Sequence, residues 1–105
     1  MRLRLRTARA GDAPEVTALQ VASWRNAFRG ILDDAFLDEA LEPAVAAHWQ
    51  AQLATPQRAL VVVLAMLGGE AAGFVAVLRR DGSAHIDHLH VRQGLRRAGL
   101  GALLA

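Results

Sequence analysis

The residues best suited to do chemistry lie near the end of the sequence. Arg96-Arg97-Ala98-Gly99-Leu100-Gly101 follows a strand-like apolar run and opens a helical one. Glycines at such a junction let backbone N–H groups approach an anion closely, and a helix N-terminus adds partial positive charge, so the loop suits a phosphate or pyrophosphate. It is not the dinucleotide-binding fingerprint, because no full G-x-G-x-x-G is present and the strands around it join by hairpins instead of βαβ crossovers. Just before the loop, His85-Ile86-Asp87-His88-Leu89-His90-Val91 offers three imidazoles and a carboxylate, groups that can accept a proton near neutral pH. In a half-exposed strand the same residues serve equally well as solvated polar positions. Strict alternation brings at most His88 and His90 together, and two imidazoles without a third ligand are weak grounds for a metal, so none is assigned.

Those groups need a sheet to hold them. Residues 2–7 alternate Arg with Leu and end at Thr7, the pattern of a strand with one buried face, placed at a sheet edge because its other face is all Arg. Gly11-Asp12 breaks it; Asp12 and Glu15 have capping-box spacing and Pro14 fits a first turn, so a helix is expected over residues 13–28. Val16, Leu19, Ala22, Ser23, Trp24, Ala27 and Phe28 supply its core-facing stripe, and Gly30 its stop. Residues 31–54 are helical in composition but divided by Pro43 into a short turn over 34–40 and a helix over 43–53. The apolar runs 60–64, 74–78 and 86–91, separated by Gly68-Gly69 and Asp81-Gly82, predict a three-strand antiparallel meander. Ile86, Leu89 and Val91 cannot share a face under strict alternation, which predicts a bulge between them. Residues 92–97 then read as a loop, and a third helix starts at Ala98.

The chain has 105 residues, 53% hydrophobic and 21% charged, with a mean hydropathy of +0.22. That is too apolar for disorder and too interrupted by charge for a membrane span. One domain over 1–105 is expected, of α+β (α/β) class, with a mixed, mainly antiparallel sheet flanked by helices in the order β-α-α-β-β-β-α and cut short within the third main helix. The start of the chain shows no basic cap followed by a hydrophobic block, so a cytoplasmic setting is expected. With no cysteine, a disulfide scaffold, a thiol nucleophile and a thiolate metal site are excluded. A pI near 11.0 beside a net charge of only +2 reflects composition: every basic side chain is Arg, and without Lys, Tyr or Cys almost nothing titrates above neutral pH. The clusters Arg2, Arg4, Arg6, Arg9 and Arg92, Arg96, Arg97 lack interleaved aromatics, so neither a nucleic acid nor a membrane is expected as a partner.

Val91, Arg96, Gly99 and Gly101 together resemble the acetyl-CoA signature of the GCN5-related N-acetyltransferases, the GNAT family. Arg6-Thr7-Ala8, Asp12-Ala13-Pro14, Ser23-Trp24-Arg25, Phe28-Arg29-Gly30 and Phe36-Leu37 extend the likeness over nearly the whole chain. The resemblance implies acetyl-CoA as cosubstrate, no metal, and acetyl transfer to a primary amine by direct attack. Leu89, His90 and Val91 would pair through their backbone with the pantetheine arm. Arg97, Ala98, Gly99, Leu100, Gly101 and Ala102 would present N–H groups to the pyrophosphate, with the Arg96 and Arg97 side chains adding charge-assisted contacts. The family's base would fall on His85 or Asp87. His85 ranks first, since an ordinary imidazole is mostly neutral at pH 7 whereas an Asp needs burial to act there. Trp24, Arg25, Phe28 and Phe36 occupy the region that shapes the acceptor pocket, and the acidic stretch 33–42 leans towards a cationic acceptor. Members normally continue with further strands and often a Tyr acid, and this sequence has no Tyr. The alternative reading is a non-catalytic coenzyme-binding or dimerising remnant; an apolar face at Leu100, Leu103 and Leu104 beside an open Val91 strand favours a homodimer.

Overall fold

Two glycine-bearing turns set the sheet. In Gly68-Gly69 (φ 57° and 85°) and in Asp81-Gly82 (φ 51° and 75°) both central residues are left-handed, the turn whose twist matches that of paired strands. They join β2 (Leu60–Leu67), β3 (Glu70–Arg80) and β4 (Ser83–Val91), while β1 (Leu3–Thr7) pairs with β2, giving the order β1-β2-β3-β4 with every pair antiparallel. Helices α1 (Ala13–Phe28) and α2 (Leu41–Ala54) come between β1 and β2. This computed structural model describes residues 3–55 and 59–92, so the loop and third helix expected after Arg92 lie outside the described residues.

Both helices pack on one face of the sheet. Val16, Leu19 and Val21 of α1 and Leu41, Val45 and Trp49 of α2 close over Val62, Leu64, Phe74 and Ala76. Trp49 is fully buried, and its indole N–H donates to Gln20 Oε1 at 2.7 Å. That bond explains a difference from the apolar stripe expected of α1: Gln20 and Thr17 turn inward, whereas Ala22 and Ala27 are exposed. A buried indole N–H needs an acceptor, and the helix is rotated to supply one. Alternate residues on the far face, Ala65, Ala72, Val75 and Val91, form a second buried cluster with Leu3, Val63 and Leu89 against it.

Three local expectations are corrected. Asp12 does not cap α1; its carboxylate accepts from the Arg9 N–H at 2.8 Å and from both Arg6 guanidinium nitrogens at 2.7 Å, because a bidentate charged pair outcompetes a cap amide. Pro43 does not divide the second helical region. A π-helical turn, Phe36–Ala40, runs directly into α2, with the Leu41 N–H donating to Phe36 O, and Pro43 falls in the first turn of α2, where a missing N–H loses little. Finally, β1 lies at the sheet edge as expected, but Leu5 is 55% exposed, so its Leu face is only partly covered.

Candidate functional site

The expected bulge is present in β4. Ala76 pairs with His88 and Val77 with Ile86, leaving Asp87 as the extra residue. One inserted residue reverses the facing of all that precedes it. Ile86, Leu89 and Val91 therefore share the face of Val77, Val75 and Gly73, and His85, His88 and His90 share that of Leu78, Ala76 and Phe74. The expectation that only two of the three histidines could share a face is thus corrected. His85 and Asp87 remain exposed, with Asp87 Oδ2 lying 3.4 Å from His88 Nε2.

His88 is wedged between the sheet and α2. Its ring meets Trp49 edge-on at 5.2 Å and lies 6.4 Å from His48, and its Nδ1 is 3.3 Å from His90 Nε2. Burial pushes its pKa below the ordinary imidazole value; the Asp87 carboxylate opposes that shift and His48 adds to it. No group of three His, Asp or Glu side chains among the described residues is arranged to hold a metal ion.

The backbone of β4 is as informative as its side chains. The Arg92 N–H donates to Ala72 O at 2.7 Å. In an antiparallel ladder hydrogen-bonded pairs alternate, so His90 and His88 point their N–H and C=O groups at β3, and Leu89 and Val91 point theirs away from it. No described strand pairs with that outer edge. Two outward amides separated by one residue fit an extended chain of amides such as pantetheine. Of the three backbone positions expected to take it, Leu89 and Val91 face outward and His90 does not. Arg96, Arg97, Ala98, Gly99, Leu100, Gly101 and Ala102 lie outside the described residues.

A cleft of about 1010 Å³ runs between α1 and the end of the sheet, past Ala18, Ala22 and Ser23 on one side and Met66, Ala71 and Arg92 on the other. Ala18 and Ala22, small residues four apart on α1, line it, and Ala22, expected in the core-facing stripe, is exposed. Arg92 is tied to Glu70 at 3.0 Å. The four residues expected to wall an acceptor pocket, Trp24, Arg25, Phe28 and Phe36, do not line this cleft. The Trp24 and Phe28 rings meet at a tilt of 57° with centroids 5.1 Å apart, Arg25 Nε donates to Leu37 O at 2.8 Å, and Phe36 is 41% exposed. In the acidic stretch Arg29 pairs with Asp34 and Asp38 at 3.1 and 2.7 Å, and Arg25 reaches Glu42 at 3.7 Å. The Arg29 guanidinium holds the Asp38 carboxyl below its usual range. Much of the charge that suggested a cationic acceptor is therefore already matched within the protein. His48 and Trp49, which shape the surroundings of His88, carried no signal in the sequence beyond helical periodicity.

A family model described as the acetyltransferase (GNAT) family matches residues 20–105. No curated protein matches the chain. Among solved structures, PaiA N-acetyltransferase from Thermoplasma acidophilum in complex with coenzyme A aligns with a TM-score of 0.76 at 14% identity, covering 99% of this chain and 67% of that one. A ribosomal-protein-alanine N-acetyltransferase from Brucella melitensis biovar Abortus 2308 gives 0.68 at 20% identity, over 99% and 66%. The aminoglycoside 6'-N-acetyltransferase from Enterococcus faecium gives 0.67 at 15%, over 99% and 51%. At such identities the likeness speaks for the fold, and the chain spans about two thirds or less of the length of these proteins. The family model extends over most of the sequence, from the middle of α1 through the bulged strand to residue 105, and the chain belongs to the GNAT family of acetyltransferases.

Proposed function

We propose that this chain binds acetyl-CoA along the outer edge of β4 and transfers the acetyl group to a primary amine by direct attack. The observation that carries the reading is the outward backbone of Leu89 and Val91, on an edge no described strand occupies, followed in sequence by Arg96, Gly99 and Gly101. Pantetheine amides would add to that edge as a strand does, and Arg96, Arg97 and the N–H groups of 97–102 would take the pyrophosphate. The coenzyme A complex of the Thermoplasma relative supports the choice of cosubstrate.

In the reaction a neutral amine nitrogen attacks the thioester carbonyl carbon and the carbon–sulfur bond breaks. The amine gives up a proton to a base, and the departing thiolate gains one. Asp87 at the bulge and His85, two residues before it, are the candidate bases, acting directly or through water. His85 ranks first as an exposed imidazole on the face it shares with His88 and His90. Trp24, Phe28 and Phe36 would form the acceptor wall, and Arg25, held by Leu37 O, would shape it without meeting the amine. The setting proposed is the cytoplasm, and the assembly a homodimer. No helix among the described residues is long and apolar enough to cross a membrane.

Calorimetry with coenzyme A on the wild type and on Gly99→Val tests the cosubstrate. The reading expects binding that falls at least about tenfold in the variant, since a β-branched side chain would stand where backbone must meet phosphate. Unchanged affinity would exclude residues 96–102 as the phosphate site. Thiol release from acetyl-CoA across a panel of amines then tests transfer.

A further inference from the structure

Imidazoles and an indole meet where α2 approaches β4. His48 and Trp49 on α2 face His88 on β4, and His88 in turn contacts His90. Ring centroids lie 6.4 Å apart for His48 and His88 and 5.5 Å apart for His88 and His90, and Phe74 of β3 lies 5.1 Å from His90. The titratable groups facing His88 are Asp87 and His90 from its own strand and His48 from α2, while β3 offers the Phe74 ring. One carboxylate, 43% exposed, thus stands against two further imidazoles.

We propose that this histidine chain is an acid-sensitive clamp: proton uptake at His88 loosens α2 from β4 and thereby weakens coenzyme A binding on the outer edge of the same strand. The clamp rests on the packing geometry; its effect on the coenzyme rests also on the acetyl-CoA reading above. When both rings are neutral, one nitrogen of the His88–His90 contact donates and the other accepts. Proton uptake at His88 fixes its Nδ1 as a donor, so the 3.3 Å contact persists only where His90 Nε2 accepts, and it sets a positive charge against the Trp49 and Phe74 rings in a site only partly open to water, the His88 side chain being 23% exposed. His88 and His90 are also the positions whose backbone bonds β4 to β3, so strain at their side chains is delivered to the strand that carries Leu89 and Val91.

The sign follows from linkage. Burial lowers the folded-state pKa of His88 below its ordinary 6.5, so its contribution is full above that pH and is lost as the pH falls through it, about tenfold in the unfolding equilibrium per pH unit for the one excluded proton. Urea unfolding of the full chain at pH 7.5 and pH 5 measures this. The wild-type unfolding constant is expected to rise at least about threefold more than that of His88→Phe, which keeps a ring but cannot take a proton. Coenzyme A affinity by calorimetry should fall more in the wild type than in the variant over the same interval; titration of the coenzyme's own phosphates is common to both. Equal pH dependence of unfolding in the two proteins would overturn the clamp. Should His88→Phe not fold, the wild-type His88 imidazole followed by NMR decides the matter, with titration at or above 6.5 counting against it. Failure of coenzyme A to bind either protein at pH 7.5 would overturn the cosubstrate reading and the coupling, while the unfolding data still judge the clamp.

Discussion

β1 and β4 each turn a row of backbone groups away from the rest of the described sheet, and the two edges are built in opposite ways. In β1 the Ala8 N–H bonds to Val62 O, so by alternation Leu3, Leu5 and Thr7 carry the outward groups. That strand has five residues, and the exposed side chains of Arg4 and Arg6 flank the outward positions. Short length and interleaved charge are how an edge avoids recruiting another strand. In β4 the outward groups of Leu89 and Val91 are flanked by His88, half-buried with its pKa lowered by that burial, and by His90, which is buried. Among the described residues the one exposed charge beside them, Arg92, is already paired with Glu70 at 3.0 Å. On the proposed reading, an edge whose flanking side chains are buried or paired, with a packed aromatic layer bracing it from one side, is the docking edge, and one lined by exposed charge is a finished boundary.

The largest expected effect concerns that bracing. Trp49→Ala removes the ring that contacts both Phe74 and His88 and should cost about 3–5 kcal/mol in chemical unfolding, whereas Leu5→Ala on the half-covered β1 should stay within about 0.5 kcal/mol. Similar losses at the two sites would show that the edges are supported alike. Next comes proline at outward amides. Leu89→Pro removes an N–H that no ladder bond uses, so the fold should survive while coenzyme A affinity drops at least about tenfold. Leu5→Pro on β1 should leave affinity unchanged, and a loss there would move the docking edge to the wrong side of the sheet. The smallest effect belongs to the pair anchoring β1. Asp12→Asn breaks the bidentate contact with Arg6, whose side chain is 46% exposed, and after allowance for solvent screening should cost about 1 kcal/mol at pH 7. The Arg6 hydrogen bonds hold the Asp12 pKa below its ordinary 3.8. Its contribution is therefore present above that value and is lost as the pH falls through the lowered one, so unfolding curves of wild type and variant should converge in strong acid.

How much of this was legible beforehand depended on whether local chemistry or distant packing decided the outcome. The two hairpins were readable because Gly-Gly and Asp-Gly supply left-handed residues that a tight turn demands. The β4 bulge was readable because Ile86, Leu89 and Val91 needed one face. Its consequence, His85 joining His88 and His90, follows only once the extra residue is assigned to Asp87. The inward turn of Gln20 was not readable, since it answers to the Trp49 indole on another helix. Nor was the diversion of Asp12 from its cap, because the competitor Arg6 sits on the preceding strand. The partners of the acidic stretch were hidden for the same reason: Arg25 and Arg29 belong to α1, and only the fold sets them against Asp34, Asp38 and Glu42.

Amide hydrogen exchange with and without coenzyme A tests the central claim most directly. The Leu89 and Val91 amides, which bond to no strand in the described sheet, should exchange readily in the free protein and become protected when the coenzyme binds, while the outward amides of Leu3 and Leu5 keep their rates. Coenzyme A bound with no change at Leu89 and Val91, or with equal protection on β1, would contradict the assignment of the β4 edge as its seat.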